Sequence, residues 1–391
     1  MARKSDPIRE RNFASVLREV FSNPGQSRKD VADAVGISAA SVTSIALKLV
    51  EAKLLREASP VAAGQGRPRV PLHVDSTSHL VMGIHLGPRV TGVVLTGLDG
   101  IAHASALVPH SGFSAEQTFD VVVAEATKLV EEHAVGRHVL GTGVATGGIV
   151  DRERGIIVEN SGAGWFDVHA VAQLAGRLPG PVVLDNNARA AAQHELLFGH
   201  GAQQPDFVLM VNTSDLGAVL VSDGVIRAGH SQHAGKIAHL RVSDGQFRCD
   251  CGRQGCLQTV ATDEATVRCA QVAGRQDVRS YADIDRLYDA GDEQIRAIVA
   301  ERDGYVARAA AVLMDLLDPG LVVIAGTPAE RPETLAHVRR VVAARAGQGE
   351  LAAQRVVYSS DHELSLSIFA ASIMVNEVLE RPLSVLEPLS Y

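Results

Sequence analysis

The first fifty residues contain three segments whose apolar positions recur at helical spacing. The first segment, residues 12–21, ends at a Pro-Gly turn, and the second begins after Ser27, which can cap it. Gly36 separates the second segment from a third, which Ser38 can cap and which covers residues 39 to about 52. The residues that we expect to be buried on this third helix are Val42, Ile45, Leu49 and Val50. The pattern predicts two helices joined by a short glycine turn after a leading helix.

Beyond residue 75 the pattern changes to short apolar runs that alternate with helical segments. Residues 80–87 and 90–100 predict a hairpin, residues 115–133 a helix, and residues 140–151 one further strand. Strands and helices recur in this way along the rest of the chain, which favours an α/β body.

The helices of the head have the order of a helix-turn-helix motif, whose second helix enters the major groove of DNA. The residues of this motif that we expect at the DNA are Ser38, Ala39, Ala40, Ser41, Thr43, Ser44 and Lys48. Small hydroxyl and methyl side chains suit phosphates and thymine methyl groups better than guanine edges, and we expect Lys48 to contact a phosphate. A plain three-helix bundle is the alternative.

A glycine-rich segment follows the helices and lies between two predicted short strands, residues 54–57 and 70–74. It contains Arg67, Pro68 and Arg69, and arginines on such a loop can lie along a narrow minor groove. A Gly-Arg-Pro sequence alone is more typical of a flexible linker. Its position directly after a helix-turn-helix favours the wing of a winged helix.

Charge is distributed unequally along the 391 residues. The first 75 carry a net charge of +4 and the remainder −12, within a total of −8. A basic head on an acidic body indicates that the head contacts a polyanion. The length exceeds one ordinary domain. Because no apolar run could span a bilayer and cysteines are few, we expect a cytoplasmic protein without membrane contacts.

Three of the four cysteines, Cys249, Cys251 and Cys256, lie close together, and His239 precedes them. One imidazole and three thiolates form the ligand set of a closed structural zinc site. Glycines between the last two cysteines permit the tight turns that such a site needs. The alternatives are a disulfide or a chance grouping of thiols. Three nearby residues exceed the four ligands that a closed site needs and are interpreted as structural: His230, His233 and Cys269.

The spacing His-x9-Cys-x-Cys-Gly-x-x-Gly-Cys-Leu, which begins at His239, resembles the signature of the ROK family of repressors and sugar kinases. The resemblance implies an actin-like, ribonuclease-H-like α/β body of two lobes, in which zinc holds a loop that carries sugar-contacting residues. The head resembles the winged helix of ROK repressors. We therefore expect an all-α winged helix-turn-helix domain at 1–75, a first lobe at 76–203 with a returning C-terminal helix at 365–391, and a second lobe with the zinc site at 204–364.

The same resemblance allows a test for sugar kinase activity. Family kinases hold ATP phosphates with Asp-x-Gly-Gly-Thr, and this chain has His85-Leu86-Gly87-Pro88-Arg89, which lacks the carboxylate and one amide donor. Residues 212–217 replace the second, glycine-rich phosphate turn and place Asp215 where a phosphate would lie. Asn187 stands at the position of the catalytic Asp and cannot accept a proton. The chain is therefore predicted not to be an enzyme, and these loops to be turns kept for the fold.

The sugar-binding side of the family site is better retained. The resemblance places Asn186 at a sugar hydroxyl and His239 beside the pocket, whereas Asn187, Lys236 and Gln258 replace carboxylates. These replacements remove negative charge, which favours a phosphorylated or acidic sugar as the effector. The alternative is a pocket that binds nothing, with Lys236 paired to an acid such as Asp185.

These observations predict a sequence-specific, DNA-binding transcriptional regulator of carbohydrate-related genes, with repression as the favoured mode. Helix-turn-helix proteins pair half-sites by two-fold symmetry, and the family resemblance points to a homodimer or homotetramer. An effector bound between the lobes would change the spacing of two heads and weaken operator binding. The alternatives are an ATP-dependent sugar kinase with an added DNA-binding head, and a regulator that has lost its effector.

Overall fold

The computed structural model describes residues 7–60, 69–110, 114–212, 216–245, 247–326, 331–359 and 366–386. It divides into two compact units, Met1–Leu197 with Ser365–Tyr391, and Phe198–Leu364. Each unit has its own mixed β-sheet and its own apolar core, so the predicted α/β body is confirmed.

The head is formed by α1 (Pro7–Ser22), α2 (Arg28–Val35) and α3 (Ala39–Glu51), followed by the antiparallel strands β1 (Leu55–Glu57) and β2 (Leu72–Val74). Both predicted caps are present. The Ser27 side chain accepts a hydrogen bond from the backbone N–H of Asp30, and Ser38 accepts one from Ser41. Between the helices Gly36 takes a φ of 68°, which favours glycine.

The core of the head follows the predicted helical spacing. Its fully buried side chains include Val16, Leu17, Val20, Val42 and Leu49. Val50, which we also expected to be buried, is only half-buried. The axes of α2 and α3 meet at 117°, an angle within the range of helix-turn-helix pairs. No single described helix is long and apolar enough to cross a membrane, although α2 and α3 pass that test when they are taken together.

The main sheet of the first unit has the order β10-β6-β3-β4-β5. The elements of this part of the chain are β3 (His79–Leu86), β4 (Val90–Thr96), β5 (Ala102–Pro109), α4 (Ala115–His133), β6 (His138–Thr146), β7 (Ile149–Asp151), β8 (Ile156–Asn160), β9 (Trp165–Val168), α5 (Ala170–Leu174), β10 (Val182–Asn186) and α6 (Asn187–Phe198). The single strand expected at residues 140–151 is wrong. Gly148, with a φ of 81°, turns the chain out of the main sheet, and β7 pairs with β8 instead.

The second unit contains a sheet of order β13-β12-β11-β14-β15. Its elements are β11 (Phe207–Asn212), β12 (Leu216–Ser222), β13 (Val225–Arg227), α7 (Gln258–Ala261), α8 (Asp263–Val272), α9 (Tyr281–Asp289), α10 (Glu293–Leu317), β14 (Leu321–Ala325), α11 (Pro332–Ala343), α12 (Glu350–Gln354) and β15 (Val356–Tyr358). Its apolar core includes residues of α10, β11 and β14, and Leu257 of the segment that follows the last clustered cysteine.

The C-terminal helices α13 (Leu366–Glu380) and α14 (Pro382–Leu386) belong to the first unit. A Cβ atom on Gly143 of β6 would lie 1.9 Å from a backbone oxygen of α13, so glycine is needed for this close packing. The same helices hold the head. Arg18 of α1 donates to Asn376 at 3.0 Å, and the Glu10 carboxylate accepts from the Leu383 N–H at 2.9 Å.

Candidate functional site

The four predicted metal ligands, His239, Cys249, Cys251 and Cys256, come together in the second unit. Their ligand atoms all lie within 4.8 Å of one another; His239 Nδ1 is 3.5 Å from Cys249 Sγ, and Cys251 Sγ is 3.6 Å from Cys256 Sγ. Sulfur atoms at the usual zinc distance in a tetrahedron are about 3.8 Å apart. All four cysteines of the chain are free thiols, so the disulfide alternative is wrong. The cluster therefore has the geometry and donor set to hold one metal ion.

Backbone contacts shape the loop that carries these ligands. Short β-bridges pair Arg241 with Cys256 and Arg248 with Gln254, and Gly255 lies between them with a φ of 77°. A Cβ atom on Gly255 would lie 1.9 Å from the backbone oxygen of Ser243, which explains the glycine at this position. The loop thus needs its glycine to bring the last cysteine back to the others.

Hydrogen bonds and burial act differently on the clustered thiols. Arg253 donates to Cys251 Sγ at 3.3 Å and lowers the pKa of Cys251 to about 6, whereas burial raises the pKa of Cys256 to about 11. A bound cation would offset the cost of a buried thiolate at Cys256. Gln258, which we predicted to contact an effector, donates its amide N–H to Cys249 Sγ at 3.2 Å and so supports the cluster directly.

The DNA-facing residues predicted in the head lie on one exposed side of α3 and at its N-terminus. Each of the following side chains is exposed: Ser38, Ala39, Ala40, Ser41, Thr43, Ser44 and Lys48. The prediction missed Leu47, which is 54% exposed on the same side. Helical spacing could have found it, because Leu47 follows Thr43 and Ser44 by four and three positions.

The predicted wing is described only in part. Arg67 and Pro68 lie outside the described residues, whereas Arg69 is exposed and forms an ion pair with Asp30 of α2 at 3.4 Å. A second ion pair joins Arg28 of α2 to Glu57 of β1. These contacts tie the base of the loop to α2.

Two residues that were compared above with kinase residues, His85 and Asn187, contact each other in the first unit. Asn187 at the start of α6 donates its amide N–H to Nε2 of His85 near the end of β3, with a donor–acceptor distance of 3.3 Å. Burial lowers the pKa of His85 to about 4, so the imidazole is neutral at pH 7 and its Nε2 can accept. The second phosphate turn, including Asp215, lies partly outside the described residues.

The neighbouring residues of β10 are engaged in local contacts. Asn186 donates its side-chain amide to the Gly148 oxygen at 2.7 Å, and its side-chain oxygen accepts from the Ala188 N–H at 2.8 Å. Each polar atom of Asn186 therefore retains one further position for a ligand. The buried Asp185 carboxylate is paired with Arg152, at 2.9 Å, and with Arg189.

Arg152 also lies 3.7 Å from Glu377 of α13, so one guanidinium contacts carboxylates from two elements. The negative charge of Asp185 is therefore already paired with two arginines. It does not require Lys236, which the alternative interpretation pairs with an acid such as Asp185. Lys236 precedes the turn Ile237–His239 in the second unit, is exposed, and has no ion pair within the described parts of the chain. The adjacent Gly235 holds this turn against β12, because its oxygen accepts from the Ala218 N–H at 2.8 Å.

Comparison with known proteins identifies the family to which this chain belongs. The family model described as "ROK family" matches residues 81–377. The chain belongs to the ROK family. Its match to the transcriptional regulator Rv0485 of Mycobacterium tuberculosis is 30% identical over 342 residues, covering 83% of this chain and 76% of the relative. The xylose repressor of Bacillus subtilis is 21% identical to this chain over 340 residues, and the match covers 86% of this chain and 88% of the repressor.

Solved structures of the ROK family include both regulators and kinases. A ROK family transcriptional regulator described as a homologue of the E. coli MLC protein matches 98% of this chain and 100% of its own, with a TM-score of 0.83 and 23% identity. The ROK hexokinase of Thermus thermophilus matches 76% of this chain and 99% of its own, with a TM-score of 0.63 and 25% identity. The regulator structure therefore shares the fold of both head and body. The match to the kinase covers a share of this chain that is close to the length of the body alone.

Proposed function

We propose that this ROK protein is a DNA-binding transcriptional regulator, with residues 1–75 as the DNA-binding domain and repression as the favoured mode. The observation that carries the proposal is the exposed side of α3, which follows α2 at a helix-turn-helix angle in a head of positive net charge. Relatives named as transcriptional regulators and repressors support it. The regulated genes are proposed to be related to carbohydrate use, as the name of the xylose repressor suggests.

The body is proposed to sense an effector and to mediate oligomerisation rather than to catalyse phosphoryl transfer. The contact between His85 and Asn187 supports this, because both side chains stand where the kinase pattern has carboxylates. We propose that residues 76–203 and 204–364 form its two lobes and that 365–391 complete the first. The proposed effector is a phosphorylated or acidic sugar that contacts Asn186, Asn187, Lys236, His239 and Gln258.

The metal cluster is proposed to hold structural zinc through His239, Cys249, Cys251 and Cys256. Bound zinc would stabilise the loop that carries Lys236 and His239 and would supply no chemistry to a reaction. The protein is proposed to act as a homodimer or homotetramer in the cytoplasm.

Selection of duplexes from a randomised pool by the purified full-length protein tests the proposed function. We expect enrichment of one sequence with two half-sites, followed by tight binding at moderate salt in fluorescence anisotropy. Equal affinity for enriched and scrambled duplexes would refute the proposal.

A further inference from the structure

The exposed side of α3 carries one large apolar side chain. Leu47 is 54% exposed, and it lies one helical turn after Thr43 and Ser44 and next to Lys48. An exposed leucine on a surface helix is unremarkable by itself. This leucine, however, is on the helix that the proposed function places in the major groove. The side chains around it therefore indicate which DNA group it could contact.

The hydroxyl groups nearby are largely engaged within the helix. Thr43 Oγ1 donates to the Ala39 oxygen at 2.8 Å. Ser38 Oγ donates to Ser41 Oγ at 2.9 Å and accepts from the Ser41 N–H at 3.2 Å. Among the described contacts only the Ser44 hydroxyl of this side has no partner. The hydroxyl hydrogen of Thr43 is therefore used within the helix, whereas the oxygen can still accept a hydrogen bond and the γ-methyl group can form an apolar contact.

Ala40, Thr43 and Leu47 are separated by three and four positions and so share one side of the helix. They are all exposed and present methyl groups over roughly 10 Å of helix axis, which corresponds to about three base-pair steps. Lys48 beside them supplies a positive charge. An apolar strip flanked by a cation matches a groove floor that carries methyl groups between phosphate backbones.

We propose that Leu47 is a specificity-determining residue that contacts the C5-methyl group of a thymine in the major groove. The inference rests on the proposed function, because it requires α3 to enter that groove. Thymine is the base that presents a methyl group there, so an apolar side chain distinguishes it from the other bases. The positive net charge of the head favours DNA over an apolar protein surface as the occupant of this strip.

The test uses full-length protein and the duplex that the wild-type chain enriches from a randomised pool. Each thymine is replaced in turn by deoxyuridine, which removes only the methyl group. We expect the wild-type affinity to fall about fourfold at one thymine of each half-site, the effect of exposing one buried methyl group. For Leu47→Ala we expect weaker binding to the duplex that contains thymine. Replacement of that same thymine by deoxyuridine should then cause no further loss of affinity.

Two variants serve as controls. Leu316→Ala on α10 removes another leucine, which is 73% exposed. It is expected to leave unchanged both the affinity and the uracil profile, which is the set of affinity changes caused by deoxyuridine at each thymine position. Leu47→Asn keeps the length and branching of the side chain but replaces its two methyl groups by an amide, and is expected to lose the sensitivity to deoxyuridine as Leu47→Ala does. Because Leu47 is exposed, circular dichroism melting of both Leu47 variants should match that of the wild type.

The inference is overturned if Leu47→Ala retains the wild-type uracil profile, whatever its affinity. It is also overturned if Leu47→Ala changes the oligomeric state in analytical ultracentrifugation and leaves that profile intact, since Leu47 would then contact protein. Failure of the wild-type chain to prefer any duplex would overturn the proposed function as well, and is recognised because it appears before any variant is compared.

Discussion

Nδ2 of Asn187 lies 3.3 Å from Nε2 of His85, although the two residues are 102 positions apart in the chain. The resemblance to ROK kinases implies that a carboxylate of the phosphate turn and the catalytic base stand at these two positions in the kinases. In this chain they contact each other through a neutral hydrogen bond. The contact gives a structural reason to expect that the body does not transfer phosphate.

A coupled assay of ADP release with common hexoses checks this expectation. We expect no sugar-dependent ADP release above background at millimolar ATP, because no group at Asn187 can accept the proton of a sugar hydroxyl. A ROK hexokinase is the positive control. Steady ADP release that depends on the hexose would show that the chain is a kinase with a DNA-binding head.

The neutral state of His85 predicts a dependence of stability on pH. Burial lowers its pKa to about 4, so between pH 6.5 and 4 the unfolded chain binds a proton that the folded chain does not. The free energy of unfolding should therefore fall by about 2 kcal/mol from pH 7 to pH 5 through this group. Burial raises the pKa of Asp303 to about 6, which contributes the opposite slope.

The measurement compares urea unfolding of the wild type with that of His85→Gln at both pH values. The contributions of Asp303 and other titrating groups are then the same in both proteins and cancel in the difference. The variant should lose less stability on acidification than the wild type does. Parallel pH profiles for the two proteins would contradict the predicted role of His85.

Loss of one clustered thiol should abolish binding of the proposed zinc ion. Cys251→Ala is expected to reduce zinc from one per chain to near zero in atomic absorption and to lower the melting temperature, because the remaining three ligands leave the loop poorly held. Cys269→Ala is the matched control, since Cys269 lies outside the cluster, and should retain zinc. Unchanged melting temperature and operator binding in Cys251→Ala would contradict a structural metal.

Arg152 should stabilise the first unit through its two carboxylate partners, Asp185 and Glu377. Arg152→Ala leaves the buried Asp185 carboxylate with one ion-pair partner among the described residues, Arg189, so we expect a loss of about 1–2 kcal/mol in the free energy of unfolding. Arg152→Lys cannot contact both carboxylates with a planar group and should recover only part of the loss. Arg154→Ala, which removes a more exposed ion pair in the same turn, is the control and should cost less.

The proposed preference for an anionic effector can be measured by calorimetry of the full chain with glucose and glucose 6-phosphate. We expect heat with the phosphorylated sugar, and about a tenfold or greater loss of affinity in Lys236→Met, since one charge-assisted contact is removed. Lys128→Met on α4 is the control for a general loss of charge. Heat with glucose alone would refute the anionic effector, and heat with neither sugar would favour a pocket that binds nothing.

Local features of the molecule could be predicted from the sequence because they depend on neighbours within a few positions. Ser27 and Ser38 cap their helices as their spacing predicted, and residues 115–133 form the expected helix. The four residues of the cluster could be identified from residue type and short spacing, with only His239 at a distance. Here the chain itself restricts the geometry, so the sequence pattern carries the information.

Contacts between distant segments were decided only by the tertiary structure. The sequence identified Asp185 as a charged neighbour of the site but not its partner Arg152, and it identified Asn187 but not His85 as its partner. The division of residues 140–151 between two sheets also escaped the pattern, since apolar spacing does not reveal which strand a segment will pair with. Such contacts depend on how strands that are far apart in the chain pair with each other. The apolar periodicity of a single segment carries no information about that pairing.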